Sequence, residues 1–246
     1  MLLHPTIDKM KSMKLNGMAK ALEEQMQMPD LHDLAFEERL GFLIDREETE
    51  RENRRLQSRL RRAKRTQSAC VEAIDWKPKR GRQKTMLLNL TSCEWIASPL
   101  NLIVTGPTGV GKTYIACALA QKACQEGYSA EYHRLSRLFP ALGIAKGDGS
   151  YGKLLLRLAK TDFIVLDDWG LAPFTDENRR DLLEILEDRH GKKSTMVTSQ
   201  LPVSNWHKLI GDPTLADAIL DRLVHDAYKI DLKGESMRKL KKKIED

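Results

Sequence analysis

The fold of this chain is decided by one stretch of sequence, Asn101-Leu102-Ile103-Val104-Thr105-Gly106-Pro107-Thr108-Gly109-Val110-Gly111-Lys112-Thr113. It opens with a short apolar run rich in β-branched residues, which predicts a buried strand. The remaining residues follow the pattern Gly-x-x-x-x-Gly-Lys-Thr, and an apolar segment with helical spacing comes next. A strand, a glycine-rich loop and a helix in this order are the context that a phosphate-binding P-loop requires.

The chemistry of a P-loop assigns a role to each part of this motif. Backbone N–H groups of the glycine-rich turn converge on phosphate oxygens, and the helix N-terminus adds partial positive charge. Lys112 is expected to reach the β- and γ-phosphates of ATP, and the Thr113 hydroxyl to bind Mg²⁺. The predicted nucleotide-binding residues are Gly106, Pro107, Thr108, Gly109, Val110, Gly111, Lys112 and Thr113. The alternative is a glycine-rich turn that matches by chance, and the flanking strand and helix argue against it.

A second motif lies downstream, Asp162-Phe163-Ile164-Val165-Leu166-Asp167-Asp168. An apolar strand that ends in two acids is the Walker B pattern. Asp167 is expected to hold Mg²⁺ through water beside Thr113, and Asp168 to orient and activate the attacking water. Taken alone, a buried strand followed by a helix-capping Asp fits as well. Downstream of a P-loop, the metal-binding interpretation is favoured.

From residue 101 onward strand and helix patterns alternate, which is typical of a parallel α/β sheet. Five strands are predicted, at residues 101–105, 128–132, 162–168, 194–200 and 228–232. Because the ends of parallel strands face the ligand crevice, Gln200 is expected to touch the γ-phosphate or the water. Ser199 and Thr198 are less favoured candidates, and an ordinary turn before Pro202 is the alternative.

The N-terminal part of the chain predicts helices. Helical periodicity covers residues 6–27, and a second helix is predicted from about Asp33 into an arginine-rich run. One or two short helices are predicted between residues 82 and 99. We therefore expect a small helical basic domain over residues 1–98, followed by an ATPase domain over 99–246. The few residues after the last strand leave no room for a C-terminal lid domain.

The positive charge is concentrated in the N-terminal part. The net charge of the chain is +6, and residues 51–84 alone carry thirteen Lys and Arg against three acids. Two basic clusters with few acids between them favour binding to the phosphates of double-stranded DNA. No zinc-finger or RRM spacing is present, so sequence-tolerant backbone contact is expected, with a solvated helix face as the alternative. The predicted DNA-binding residues are Arg51, Arg54, Arg55, Arg59, Arg61, Arg62, Lys64, Arg65, Lys79, Arg80 and Arg82.

Other classes of protein are disfavoured. The four cysteines show no C-x-x-C spacing and no histidines at zinc-ligand offsets, which indicates thiols in a reducing compartment. The N-terminus lacks an apolar signal core, and no apolar run approaches membrane-spanning length. We therefore expect a cytoplasmic protein with no membrane partner.

Several motifs together resemble a known family: GPTGVGKT (106–113), FIVLDDWG (163–170), TSQLP (198–202), DRL (221–223) and GESMR (234–238). They are similar to the DnaC/IstB branch of the AAA+ ATPases, and within it to the IstB-like helper proteins of insertion-sequence transposition. The resemblance covers essentially the whole chain. It implies an AAA+ ATPase that forms an ATP-dependent homo-oligomer on target DNA and assists a partner transposase.

The resemblance also assigns roles to residues of this chain that match the motifs of the family. It places Gln200 at the sensor-1 position, Arg222 at the arginine finger that reaches a neighbouring subunit, and Arg238 at a sensor-2-like position. The second Walker B acid is usually Glu, whereas this chain has the shorter Asp168. Slow hydrolysis that acts as a switch is therefore expected.

Three other functions fit parts of the sequence. A replicative helicase loader of the DnaC type shares nearly every motif, and the basic tract between residues 51 and 84 favours the transposition helper over it. A small-molecule P-loop kinase would need an arginine-bearing lid after the core. A DNA-architectural protein that does not hydrolyse ATP would not need Lys112, Thr113 and Asp167.

Overall fold

The computed structural model describes residues 5–28, 34–74, 81–234 and 236–237, with the side chains of residues 81–84 outside that description. The chain folds into two compact units, Met1–Ser58 and Arg59–Asp246. The division into functional domains at residues 98 and 99 stays a prediction. In the structure, residues 59–98 belong to the second unit.

The first unit is helical. It contains α1 (Pro5–Ser12), α2 (Asn16–Gln25) and most of α3 (Phe36–Arg62), whose last turn belongs to the second unit. The prediction of one continuous helix over residues 6–27 is wrong, because the backbone turns at Lys14 with a φ of 62°. The predicted helix start at Asp33 lies outside the described residues.

A buried carboxylate joins α2 to α3. Glu47 is 6% exposed and accepts hydrogen bonds from the backbone N–H groups of Gly17 (2.7 Å) and Met18 (3.2 Å). These are first-turn amides of α2, which have no partner within their own helix. Gly17 allows the close approach, since a Cβ there would lie 2.6 Å from the carbonyl oxygen of Arg46.

In the second unit, short helices precede the sheet. A 3-10 turn (Val71–Ala73) is followed by α4 (Gly81–Leu90) and α5 (Glu94–Ala97). Trp95 of α5 packs edge-on against Phe163, with ring centroids 4.9 Å apart. Its indole N–H also donates to the carbonyl of Leu90 at 2.8 Å. These helices are therefore fixed to the sheet through a buried tryptophan.

The sheet has five strands: β1 (Asn101–Thr105), β2 (Ala130–Arg134), β3 (Phe163–Trp169), β4 (Ser194–Ser199) and β5 (Ala227–Asp231). Their spatial order is β2-β3-β4-β1-β5, and every pairing is parallel. The predicted five-stranded parallel α/β core is confirmed. The predicted β2 began and ended two residues too early, a difference that matters for the site.

The helices that cover the sheet are α6 (Lys112–Gln125), α7 (Leu135–Gly147), α8 (Tyr151–Lys160), α9 (Asp176–Arg189), α10 (Trp206–Ile210) and α11 (Pro213–Val224). Helix α9 begins directly after Thr175, whose side chain accepts from the backbone N–H of Asn178 in a capping box.

The core lies against β3, β4 and β1, whose side chains are almost fully buried. Trp169 and Trp206 pack with ring centroids 5.0 Å apart. Arg189 is also fully buried; burial lowers its pKa to about 9, and it donates to the Thr161 carbonyl at 2.7 Å and the Ser194 carbonyl at 2.5 Å. Among the described helices, none has the length and apolar character needed to cross a bilayer.

Candidate nucleotide-binding site

The P-loop connects β1 to α6 in a conformation that needs glycine. Gly106 has a φ of 144° and Gly109 a φ of 86°, values that residues with a Cβ rarely adopt. A Cβ at Gly106 would also collide with the carbonyl oxygen of Leu232. Gly111, the N-cap of α6, is left-handed as well. The loop therefore delivers its backbone amides to the N-terminus of α6, where anions bind.

Lys112 is held inside this loop. It is 8% exposed, and its Nζ donates to the carbonyl oxygens of Gly106 (2.7 Å) and Pro107 (3.0 Å). Burial lowers its pKa, while the carboxylates of Asp167 and Asp168 act in the opposite direction. The ammonium group therefore lies against the loop carbonyls and interacts electrostatically with the Walker B acids.

Asp167 is fully buried, and three hydroxyl groups contact its carboxylate. Thr113 Oγ1 lies 3.0 Å from one of its carboxylate oxygens, and the hydroxyls of Tyr132 and Thr198 donate to it as well. The three donors come from α6, β2 and β4, so the carboxylate is held from three directions. Hydroxyl and carboxylate oxygens are the ligands that Mg²⁺ prefers, so Thr113 and Asp167 fit a magnesium ion.

Asp168 follows at an irregularity in the strand. The β3–β4 register shifts between Leu166 and Trp169, and Asp168 has a φ of 66°. Such bulges re-aim a side chain. Burial raises the pKa of Asp168 and the neighbouring Asp167 raises it further, while Arg134 and Lys112 oppose the shift. A partly buried carboxylate with a raised pKa is suited to proton transfer.

Arg134 is the site residue that sequence reasoning missed. Its Nε lies 3.0 Å from Oδ2 of Asp168. The predicted β2 ended at Tyr132, whereas the strand continues through Arg134, which pairs in register with Asp167. The sequence did contain a signal for Arg134. The polar pair His133-Arg134 follows an alternating segment, and such a pair marks the end of a strand, as the polar residues before Gln200 did for β4.

The end of β4 also reaches the P-loop. The side-chain oxygen of Gln200 accepts from the Thr108 hydroxyl at 2.6 Å, so the expected sensor residue lies against the loop. Thr198, a less favoured candidate, contacts Asp167 instead. The Ser199 hydroxyl donates to the Trp169 carbonyl at 2.9 Å and shapes the turn.

Two arginines, Arg222 and Arg238, were assigned roles only through the family resemblance. Arg222 lies on α11, where it pairs with Glu187 at 2.7 Å and donates to the Ala218 carbonyl at 2.9 Å. Its role as a finger toward another subunit stays a prediction. Arg238 lies outside the described residues. The segment before it approaches the P-loop, since the backbone N–H of Met237 donates to the Gly109 carbonyl at 2.9 Å.

The predicted DNA-binding residues differ in exposure. In the first unit Arg51, Arg54 and Arg55 are exposed, and Arg51 makes an i,i+4 pair with Glu47 at 2.7 Å. Glu50, one turn before Arg54, lies 3.7 Å from Lys20.

In the second unit Arg61, Arg62 and Lys64 are exposed, whereas Arg59 and Arg65 are half-buried and hydrogen-bonded to α6. Lys79 and Arg80 lie outside the described residues. Arg82 belongs to α4, and its side chain is not described. DNA contact by all of these residues stays a prediction.

Comparison with known proteins identifies relatives of the whole chain. The model of a family described as IstB-like ATP binding protein matches residues 8–245. A putative insertion sequence ATP-binding protein of Sinorhizobium fredii is 49% identical over 239 residues, covering 97% of this chain and 98% of that protein. The putative ATP-binding protein of insertion sequence IS1162 from Pseudomonas fluorescens is 48% identical, covering 83% and 89%. A putative ATP-binding protein in an insertion sequence of Mycobacterium tuberculosis is 31% identical, covering 95% and 93%.

Solved structures share the fold. The crystal structure of the DnaC helicase loader matches with a TM-score of 0.57 at 18% identity, covering 67% of this chain and 96% of that one. AMPPCP-bound DnaA from Aquifex aeolicus matches with a TM-score of 0.58 at 17% identity, covering 74% and 56%. At these identities the likeness shows the AAA+ fold alone.

Proposed function

The chain belongs to the IstB-like ATP-binding protein family, and on that premise we propose that it assembles on target DNA in an ATP-dependent manner and assists a partner transposase. The observation that carries the proposal is the convergence of Lys112, Thr113 and Asp167 at the end of the sheet, in a chain whose relatives are named as insertion-sequence ATP-binding proteins. The proposed place of action is the cytoplasm.

ATP hydrolysis is the proposed reaction. The loop amides and Lys112 bind the phosphates, and Thr113 with Asp167 would hold Mg²⁺, which would offset negative charge on the phosphate oxygens. Asp168 takes up the proton of the attacking water, and Gln200 orients that water from the end of β4. Asp168 is one methylene shorter than the usual Glu and is paired with Arg134, so turnover is slow.

Arg222 is the residue on which the proposed self-assembly rests. An arginine supplied by a neighbouring subunit stabilises charge that develops during phosphoryl transfer, which makes hydrolysis depend on assembly. In the single chain its guanidinium is paired with Glu187, whose side chain is 58% exposed. Because the glutamate is open to solvent, the ion pair is weak, and the guanidinium can exchange it for a phosphate.

DNA binding is proposed from the exposed arginines on and after α3. Arg54, Arg55, Arg61 and Arg62 are exposed, with no ion-pair partner among the residues that the structure describes. Guanidinium groups that are free of local carboxylates can neutralise DNA phosphates, and counterion release then favours binding. The contacts are to the backbone and not to base edges, so little sequence preference is expected.

The test is electron microscopy of the wild-type protein and Lys112→Ala with duplex DNA and a slowly hydrolysed ATP analogue. The proposal expects ordered oligomers on DNA for wild type with nucleotide, and none for Lys112→Ala, because the phosphates lose their cation. Lys122→Ala is the matched control, since Lys122 lies on the same helix and pairs only with Glu126 among the described residues. Assembly by Lys112→Ala equal to wild type would contradict the P-loop role.

A helicase loader of the DnaC type is the alternative, and its support is the shared fold. The same experiment, repeated with a hexameric helicase added, separates the two functions. A transposition helper assembles on duplex DNA alone, whereas a loader requires a hexameric helicase. Assembly that depends on added helicase and not on duplex DNA would favour the loader.

A further inference from the structure

Residues 59–66 form a segment with two faces, here called the α3 end segment. It contains the last turn of α3 and the four residues after it, and all of it belongs to the second unit. Arg61, Arg62 and Lys64 are exposed to solvent. The other face of the segment contacts the ATPase core.

One set of contacts reaches the P-loop helix. Arg59 Nε donates to the carbonyl oxygen of Cys124 at 2.8 Å, in the last turn of α6. Arg65 donates to the side chain of Gln121, and Thr66 Oγ1 lies 3.7 Å from the sulfur of Cys117. Since α6 begins at Lys112, the segment holds the far end of the helix that carries the phosphate-binding lysine.

A second set of contacts reaches the Walker B acid. The carbonyl oxygen of Ala63 accepts from the backbone N–H of Tyr132 at 2.9 Å, on the outer edge of β2. The Tyr132 hydroxyl in turn donates to Asp167. Tyr132 is only 4% exposed and Asp167 is fully buried, so the hydrogen bond between them is shielded from water.

The backbone between the two faces is constrained. Lys64 has a φ of 47°, a left-handed conformation uncommon for residues other than glycine. On either side of it, the exposed and docked side chains are only one or two residues apart. A force on the exposed face therefore acts on the same short turn that holds Tyr132.

We propose that the α3 end segment couples DNA binding at Arg61, Arg62 and Lys64 to ATP hydrolysis, with Tyr132 as the positioning residue that orients Asp167. The inference rests on the proposed function, because it needs DNA and ATP as the two ligands. Phosphates that pull the exposed side chains displace Ala63, and Tyr132 follows through its backbone bond to that residue. The Tyr132 hydroxyl then changes the orientation of the Asp167 carboxylate, which with Thr113 would hold Mg²⁺, and the rate of hydrolysis changes with it.

The experiment measures steady-state ATP hydrolysis with and without duplex DNA over a range of Mg²⁺ concentrations. The variants are Tyr132→Phe, which removes only the hydroxyl, and Thr66→Val, which removes the hydroxyl by which the segment contacts Cys117 of α6. Tyr128→Phe is the matched control, because Tyr128 lies just before β2 and is half-buried. DNA affinity and its salt dependence are measured in parallel for every protein.

For Tyr132→Phe we expect the Mg²⁺ concentration that gives half-maximal activity to rise roughly tenfold, as for other groups that orient a metal ligand. The change in kcat caused by DNA disappears in Tyr132→Phe and is reduced in Thr66→Val. DNA affinity stays equal to that of the control. A role limited to structure would lower all activities together and leave the Mg²⁺ dependence and the DNA response in place.

The outcomes separate this inference from the function on which it rests. If wild type responds to DNA and both variants respond equally with unchanged Mg²⁺ dependence, the coupling is refuted and the proposed function stands. If wild type neither binds duplex DNA nor changes its hydrolysis with it, both are refuted.

Discussion

Arg134 Nε lies 3.0 Å from Oδ2 of Asp168, on the adjacent parallel strand. The proposed general base of the site is thus paired with a cation that the sequence did not identify. Burial and the neighbouring Asp167 raise the pKa of Asp168, and Arg134 limits the rise. The acid side of the pH–rate profile is therefore adjusted by a side chain that belongs to neither nucleotide-binding motif.

Arg134→Gln should move the acid limb of kcat/KM to higher pH. The base must be ionised to accept a proton, and loss of the guanidinium raises its pKa further. The measurement is the pH–rate profile of ATP hydrolysis, with Arg137→Gln as control because Arg137 is exposed on the next helix. An unchanged acid limb in Arg134→Gln would show that Asp168 is not the titrating base.

Asp168→Asn should remove turnover without weakening the fold. A carboxyl whose folded pKa is raised stabilises the fold only when protonated, and this contribution is lost as pH rises through that pKa. Asn also tolerates the positive φ. We expect kcat to fall by roughly 10²–10⁴-fold, with an unchanged or higher Tm at pH 7. Asp167→Asn, which disturbs three hydroxyl hydrogen bonds, should lower the Tm; equal Tm losses in both variants would contradict this assignment.

Mixing two inactive variants tests whether the site is shared. Arg222→Ala and Asp168→Asn should each hydrolyse ATP poorly, whereas a mixture should recover activity. Recovery is expected because an Asp168→Asn subunit offers its Arg222 to the intact pocket of an Arg222→Ala neighbour. Glu187→Gln is the control, since it breaks the surface pair and keeps the arginine. A mixture no more active than its components would argue against a finger in trans.

Changing Arg54, Arg55, Arg61 and Arg62 to Ala should weaken duplex binding and flatten its salt dependence, by about 0.9 in log–log slope for each phosphate that is no longer neutralised. The control removes the same charge from exposed lysines elsewhere in the second unit, Lys153, Lys160, Lys192 and Lys208. The readout is DNA affinity against salt concentration. Equal losses in both quadruple variants would mean that net charge, and not this surface, binds DNA.

Glu47→Gln should destabilise the helical first unit. The carboxylate is hydrogen-bonded to two backbone amides and to Arg51. Burial tends to raise its pKa, yet these hydrogen bonds hold the pKa below the usual value. Its contribution is therefore present above the unfolded-state pKa and disappears as pH falls through the folded pKa.

We expect a loss of about 1–3 kcal/mol at neutral pH, since hydrogen bonds to a charged group are involved. Hydrogen exchange at the amides of Gly17 and Met18 measures it, with exposed Glu48→Gln as the control. Unchanged protection at both amides in Glu47→Gln would be evidence against this cap.

Much of the core could be predicted because its signals are local. The run at residues 101–113 contains its strand, its glycines and its helix start in one continuous segment, and the paired acids end an apolar strand. The features that were missed depend on residues distant in sequence. The extent of β2 is set by pairing with β3, so the position of Arg134 beside Asp168 could not be read from alternation alone. The turn at Lys14 and the docking of Arg59 and Arg65 on α6 likewise depend on the tertiary fold.

The stacking of Trp169 on Trp206 has a practical consequence. Trp169 directly follows the two Walker B carboxylates, is fully buried, and packs at a tilt against the second indole. A shift of the strand end caused by nucleotide or Mg²⁺ must alter the distance or angle between two coupled chromophores. The site therefore contains its own optical reporter, and tryptophan emission in a stopped-flow instrument can follow nucleotide binding in the unlabelled protein.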